Sequence, residues 1–290
     1  MIIDAHYHLE ERLETIDRLI DQMSLNKKDR VALIPTLSEP FHIEGLAETM
    51  SGVMRNALTG RWNKVGILMY LSTVTSSGKF STLGKKYDIY PNPGNGLVAQ
   101  AIEAHPDKFF GWILVNPSVA DPIAEMERWL DKPGWIGVKS HPFWHRYPVK
   151  MLDDTAALCV EKGLPMLIHL GTGRKRGDYK YLPDRHSMLN VIYAHSGVPY
   201  YKRMWNYVKS KNNVFVDLSS PYLDEPLRIA SVKYLGAQKC LYGTDGPFGY
   251  PGPDGLYDHS AILQEIYRLP ITDAEKEKIL GINFKEITGI

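Results

Sequence analysis

Three observations in this chain of 290 residues predict an α/β fold, a single (β/α)8 barrel. Short β-branched and aromatic runs alternate with amphipathic helical stretches, the pattern of a parallel sheet whose crossovers are helices. The later runs recur at near-constant spacing. Their starts at 135, 165, 190, 214 and 239 give steps of 30, 25, 24 and 25, about what one strand, one loop and one helix require. Polar residues also terminate several runs that are otherwise apolar, as they do where barrel strands open onto one mouth.

The first run, 2–8 (IIDAHYH), is followed by a helical pattern at 11–23 and a second run at 31–37 (VALIPTL). A long interval from 38 to 95, rich in Gly, Ser, Thr, Met and Lys, then breaks the rhythm. It reads as an insertion after the second strand, helical at about 44–59 and looped at 76–95. The run 65–71 (VGILMYL) falls inside it, and as a ninth run where eight are needed it is set aside from the barrel. An insertion here sits over the barrel mouth, where it can serve as a lid or as the contact of a homodimer. Past it, helical patterns at 96–105, 121–131 and 153–163 lead into the runs 109–116 (FFGWILVN), 135–140 (WIGVKS) and 165–170 (PMLIHL). The runs 190–196 (NVIYAHS), 214–219 (VFVDLS) and 239–245 (KCLYGTD) precede helical patterns at 200–211, 225–236 and 258–268. With no internal repeat, low-complexity tract or linker, residues 1–290 read as one domain.

Composition narrows the function. Apolar residues at 44% and charged residues at 23% allow a large core and exclude a disordered chain. Lys plus Arg less Asp plus Glu is 34 − 33 = +1, which argues against a nucleic-acid partner, since that needs a basic surface. Two cysteines, Cys159 and Cys240, exclude a disulfide framework; both fall in core positions, without the neighbouring base of a nucleophile. The opening Met1-Ile2-Ile3-Asp4-Ala5-His6 lacks a signal peptide's basic then apolar order, and no run approaches the ~18 apolar residues of a membrane span. A cytoplasmic protein with a small-molecule substrate and no membrane partner is expected.

The chemistry sits at the strand ends. His6 and His8 stand two apart, so strand geometry puts both imidazoles on one face, a pattern that suits a metal with nitrogen ligands. His169 ends PMLIH, His195 ends NVIYAH and Asp245 ends KCLYGTD, each followed at once by loop chemistry. Any one of these could simply cap a loop; five converging on one mouth are hard to explain that way, because buried polar groups without partners are costly. Asp4 is expected on the same face as the H-x-H pair by alternation, as a hydrogen-bonding partner or strand-end cap rather than a ligand.

The segments IDAHYH (3–8), FFGWILVNP (109–117), GVKSHP (137–142), LIHLG (167–171), VIYAHSG (191–197) and LYGTDGPFG (241–249), with the tail LGINFKEITG (280–289), resemble the amidohydrolase superfamily, in its amidohydrolase-related or family 2 branch. The resemblance is weakest over 38–95. It implies a TIM barrel and a metal-dependent enzyme, since members are hydrolases, lactonases and non-oxidative decarboxylases of aromatic or unsaturated acids. It implies that His6, His8, His169 and Asp245 hold one divalent ion, and that His195 contacts the water on that ion. A cation lowers the pKa of its water, and Asp245 or His195 then moves the proton as the catalytic pair. Zn²⁺ fits the ligand types, with Mn²⁺ as the alternative because Asp245 contributes an oxygen.

Lys139 in GVKSHP stands near the position of the lysine that is carbamylated in binuclear members. It admits three readings: a carbamylated bridge to a second metal, an ammonium gripping a substrate carboxylate, or a structural lysine. His141 and His145 follow in an irregular segment, where they line a pocket or a loop rather than bind metal. Arg174, in the basic loop Arg174-Lys175-Arg176, can receive an anionic substrate at the mouth or be a solvated face. Trp144, Tyr222, Phe248 and Tyr250 lie in loops after strands and are expected to form an apolar wall, with Tyr222 a substrate contact. His105 precedes a strand at the opposite rim and reads as structural. The leading expectation is hydrolysis of an amide, lactone or related carbonyl by a metal-activated water. Decarboxylation is the alternative, although His6 leans towards hydrolysis because some decarboxylases carry Glu there. A non-catalytic binding barrel is the third reading, and the intact set of five polar residues speaks against it.

Overall fold

The computed structural model describes the chain except residues 42–45, 83, 93, 221–222, 250 and 253 and the side chains of 46–48, 59 and 202. In chain order its strands are β1 (Ile3–Leu9), β2 (Arg30–Pro35), β3 (Lys79–Thr82), β4 (Lys85–Asp88), β5 (Phe109–Val115), β6 (Trp135–Ser140), β7 (Met166–Ile168), β8 (Val191–Tyr193), β9 (Val214–Asp217) and β10 (Cys240–Leu241). Eight of them form one parallel sheet in the order β1-β2-β5-β6-β7-β8-β9-β10. Beyond β10 the chain runs on beside β1. Ala5 N donates to Tyr242 O (3.0 Å), Thr244 N and Asp245 N donate to His6 O (3.2 and 2.7 Å), and His8 N donates to Gly246 O (2.7 Å). These bonds join the last strand to the first and close the TIM barrel.

The crossover helices stand where the periodicity places them, among them Ile16–Leu25, Asn95–Ala104, Asp153–Lys162, Tyr201–Ser210 and Glu225–Leu235. Their starts carry the expected chemistry. Thr15 accepts from Arg18 N, and Asp224 accepts from Leu227 N ahead of a first-turn proline.

The barrel interior is a packed core. Ile3, Ala5, Ala32, Ile34, Trp112, Ile136, Leu167, Ile192 and Leu241 fill it together with Phe284 and Ile287 of the C-terminal helix Asn283–Thr288. Trp112 is fully buried; its Nε1 donates to Ala5 O at 3.0 Å and its ring meets Phe284 edge-on. Asn283 fixes that helix by donating to Ala237 O and Cys240 O, both at 2.8 Å.

Two local expectations are overturned. The β1–β2 register shifts between Asp4 and Tyr7. Ile3 and Ala5 therefore belong to the interior cluster, whereas Tyr7 and Leu9 pack outside with Leu19, Met23 and Leu33. This bulge turns His6 and His8 inward and leaves Asp4 on the outer side, because one extra residue reverses the alternation. Within the insertion, 65–71 lies in the helix Asn63–Ser72, and 76–95 holds the antiparallel hairpin β3–β4 rather than only loop. A short apolar run without period fits a buried helix as well as a strand. The helix Leu46–Thr59 packs closely on it at Gly66, where a Cβ would lie 2.3 Å from Leu58 N. Among the described residues no helix is long and apolar enough to cross a membrane.

Phe284→Ala should cost about 3–5 kcal/mol in urea unfolding, because the emptied space lies in a rigid interior. A cost below about 1 kcal/mol would show that the C-terminal helix does not close the barrel floor.

Candidate metal centre

The centre is assembled around Asp217, the last residue of β9. It is fully buried and accepts from four donors: His6 Nδ1–H (2.8 Å), His195 N (2.9 Å), Ser219 N (3.1 Å) and Ser219 Oγ (2.6 Å). This fixes two tautomers. His6 gives its Nδ1 proton to Asp217, which leaves a lone pair on Nε2. Ser219 gives its hydroxyl proton to Asp217 and so accepts from His195 Nδ1–H at 3.0 Å, which leaves a lone pair on His195 Nε2. A carboxylate orienting a ligating imidazole in this way is a recurrent support of metal sites.

Asp245 meets those lone pairs at the closing seam. Its backbone is in the left-handed region (φ 60°), as is that of His195 (φ 56°), both uncommon for residues with side chains. The bond from Asp245 N to His6 O secures the turn. Gly243 permits the approach, since a Cβ there would lie 3.0 Å from His6 Cβ and 3.2 Å from Ser219 Cβ. Asp245 Oδ1 lies 3.3 Å from both His6 Nε2 and His8 Nε2, and Oδ2 lies 3.9 Å from His195 Nε2. His169 Nδ1 lies 3.0 Å from His195 Nε2, and Tyr70 Oη lies 2.6 Å from His169 Nε2. Lys139, fully buried at the end of β6, has Nζ 3.3 Å from His6 Nε2.

Of the sequence-derived ligands, His6 and His8 each approach Asp245, while His169 approaches His195. Atoms about 2.0–2.1 Å from one tetrahedral ion stand roughly 3.3 Å apart, and the separations of 3.3 Å from Asp245 to His6 and to His8, with the nitrogen-plus-carboxylate chemistry, fit a divalent ion. Among the described residues, the group whose candidate ligand atoms all lie within 4.8 Å of one another is His6, His195 and Asp245; it includes His195, expected on the water, and leaves out His8 and His169, expected on the ion.

Burial lowers the pKa of His6, and lowers those of His169 and His141 far more, while His195 falls to about 4. Burial also brings Lys139 down to about 8, against the opposing pull of Asp217 and Asp245. Burial alone would raise Asp217 and Asp245, but His6 beside the first and His195 beside the second hold both well below the usual carboxylate range. At rest the imidazoles of His6, His169 and His195 are therefore neutral and the carboxylates of Asp217 and Asp245 ionised.

The other expected residues divide. His141 stacks on His169 (4.1 Å between centroids) and its Nδ1 accepts from Trp144 N, so its Nε2 carries the proton. His145 reaches out to Tyr90 O at 3.1 Å. Arg174 stands exposed on the short helix Gly173–Arg176 after β7, without an ion pair among the described residues. Asp4 accepts from Thr244 N (3.0 Å), Thr244 Oγ1 (2.7 Å) and Lys28 Nζ (3.2 Å), a strand-end tie on the outer side. Tyr222 and Tyr250 lie outside the described residues. Cys159 and Cys240 are buried, and burial raises both thiols.

Two members of the centre were missed in the sequence. Asp217 ends its run as His169 and Asp245 end theirs, so the same rule would have found it. Tyr70 carried no such signal, since it sits in an apolar helix of the insertion.

A barrel with its polar centre at the carboxyl ends of its strands has the layout of a barrel enzyme. The chain belongs to the amidohydrolase family, whose model matches residues 91–283. None of the curated proteins matches it. Several solved structures share the fold across their full length. A 2,6-dihydroxybenzoate decarboxylase from Rhizobium is 13% identical, with 99% of this chain and 98% of that chain covered and a TM-score of 0.61. A 4-oxalomesaconate hydratase from Rhodopseudomonas palustris is 16% identical, with 100% and 96% covered and a TM-score of 0.62. A dihydroxybenzoic acid decarboxylase from Polaromonas, with bound manganese and the inhibitor 2-nitroresorcinol, is 14% identical, with 99% and 96% covered and a TM-score of 0.63.

The buried imidazoles make stability depend on pH. His6, His141, His169 and His195 are each harder to protonate in the fold than in the unfolded chain, where histidine titrates near ~6.5. The unfolded chain therefore binds more protons as the pH drops below that value. Stability is full above it and is lost downward towards about 4, where His195 titrates. The melting temperature of chelator-treated protein should accordingly fall between about pH 7 and pH 5. A flat profile would contradict a neutral buried cluster.

Proposed function

We propose that this chain is a divalent-metal-dependent enzyme that removes carbon dioxide from a small aromatic or unsaturated carboxylic acid. The substrate class rests on a closed circuit of ring contacts at the barrel mouth. From His8 it passes to Phe248 (5.9 Å between centroids), Phe41 (4.9 Å), Phe80 (4.5 Å), Trp144 (5.8 Å) and His141 (4.9 Å). It returns through His169 (4.1 Å), His195 (4.6 Å), His6 (5.2 Å) and back to His8 (5.3 Å). One side of the circuit is imidazole and the other is apolar, which suits a planar acid whose carboxyl end meets the polar side. Decarboxylases among the fold neighbours act on acids of this kind.

His6, His8, His169 and Asp245 would hold the ion, with Mn²⁺ or Zn²⁺ suited to this donor set. When bound, a divalent ion supplies positive charge that grips and polarises a carboxylate or carbonyl oxygen. In decarboxylation the bond from ring carbon to carboxyl carbon breaks, carbon dioxide leaves, and the ring carbon takes a proton. Asp245, kept as carboxylate, is the group to collect that proton from a substrate hydroxyl or solvent and return it at carbon. His195, neutral with Nε2 facing the same centre, can share the transfer. Lys139 contributes charge for the substrate carboxylate. A carbamylated bridge to a second metal is the alternative role, and burial, by bringing Lys139 down to about 8, frees the amine it needs more readily than in an exposed lysine. His141 offers its Nε2–H, and Arg174 recruits anions from the rim; Tyr222 remains a proposed substrate contact.

Hydrolysis of an amide or lactone is the second reading. It is favoured by the intact histidine pair, His6 with His8, and by the same proton acceptors, which would serve a leaving group equally well.

Activity should disappear with chelator and return with Mn²⁺ or Zn²⁺, and a panel of carboxylated aromatics should yield carbon dioxide rather than cleaved esters or lactones. Cleavage without carbon dioxide would install hydrolysis instead. A chain that takes up no metal would point to a binding barrel. His195→Asn should keep most of the metal and lose about 10²–10⁴-fold in rate. Parallel loss of metal would place His195 among the ligands, as the compact trio suggests.

A further inference from the structure

Among the described residues of the insertion, Tyr70 sends a polar atom into the centre. Tyr70, on the helix Asn63–Ser72, is 1% exposed, and its Oη lies 2.6 Å from His169 Nε2. Its ring stacks almost parallel on Phe143 (4.3 Å between centroids, 9° between planes), and Phe143 lies in the same orientation beside His169 (6.0 Å, 11°). His141 stacks on His169 as well. The imidazole of His169 is thus fixed in plane by its neighbours, and Tyr70 decides what its outer nitrogen does.

We infer that Tyr70 is a positioning residue that sets the tautomer of His169 and thereby ties the insertion to metal holding. The inference rests on the metal-centre reading above. Without metal, His169 Nδ1–H donates to the lone pair of His195 Nε2, 3.0 Å away, and His169 Nε2 accepts from the Tyr70 hydroxyl. To hold a metal through Nδ1, His169 would have to present a lone pair there, and its proton would then sit on Nε2 and donate to Tyr70 Oη. A hydroxyl is both donor and acceptor and satisfies either state; a phenylalanine would satisfy neither. Hydrogen bonds to the outer nitrogen of a ligating histidine typically change metal affinity about 10–100-fold when removed. Coupling is reciprocal: if Tyr70 tightens metal binding, metal must steady the helix that carries Tyr70.

Zn²⁺ affinity measured by chelator competition tests this on wild type, Tyr70→Phe, His169→Ala and the double variant. Tyr70→Phe should weaken Zn²⁺ binding about 10–100-fold and have no further effect once His169 is alanine. An unchanged affinity, or an equal loss in the His169→Ala background, overturns the inference, because a merely structural tyrosine would act regardless of His169. Nitrogen-15 histidine spectra of the wild type decide the matter even if the variant does not fold. Zn²⁺ should occupy His169 Nδ1 with Nε2 protonated, and amide exchange over 63–72 should slow; a zinc-bound Nε2 overturns the inference. A wild type that binds no Zn²⁺ overturns the metal-centre reading itself, whereas a wild type that binds it and a Tyr70→Phe variant that binds it equally removes only the role of Tyr70.

Discussion

The seam at which the last strand meets the first is the constraint on which the rest of the structure depends. The backbone bonds joining residues 5–8 to residues 242–246 both close the barrel and set Asp245 beside His6 and His8. One set of hydrogen bonds thus makes the fold and the site together. That explains the small residue at Gly243 and the left-handed turn at Asp245, where the chain must leave the strand sharply to aim a carboxylate inward. Such backbone is kept only where surrounding contacts determine it, and at Asp245 they do.

Asp217 carries the same logic one strand back. A fully buried carboxylate is tolerable because four donors surround it, two of which orient His6 and, through Ser219, His195. Both rings then face the centre with lone pairs rather than N–H groups. Neutral imidazoles of His6 and His195 beside ionised carboxylates suit a cation, and the apolar rings of Phe41, Phe80, Trp144 and Phe248 join the cluster through His8 and His141. The insertion supplies two of those rings, Phe41 and Phe80, and Tyr70, which reaches His169.

The eight barrel strands and the polar residues ending them were legible because each depends on local pattern: an apolar run, a crossover of fixed length, and a side chain that burial would otherwise penalise. His6, His8, His169, His195 and Asp245 came from that pattern, and the family resemblance supplied their expected roles. Asp217 obeyed the pattern but was passed over. The facing of Asp4 was not legible, because a one-residue bulge in β1 leaves no mark in composition yet reverses the alternation. The insertion was least legible. Its run 65–71 is apolar without period, and only packing against Leu58 and Phe143 makes it a helix. Tyr70 gains its importance from a contact 99 residues away in sequence, which no local pattern records.

The central claim is that these five side chains form one divalent metal centre at the closed seam. A crystal structure of the protein grown with Mn²⁺, with an anomalous scattering map, tests it most directly. The account requires a single strong peak about 2.0–2.3 Å from nitrogens of the histidine cluster and an oxygen of Asp245, with His6 Nδ1 still bonded to Asp217. A map without a peak there, or with manganese bound only on the surface, would contradict it.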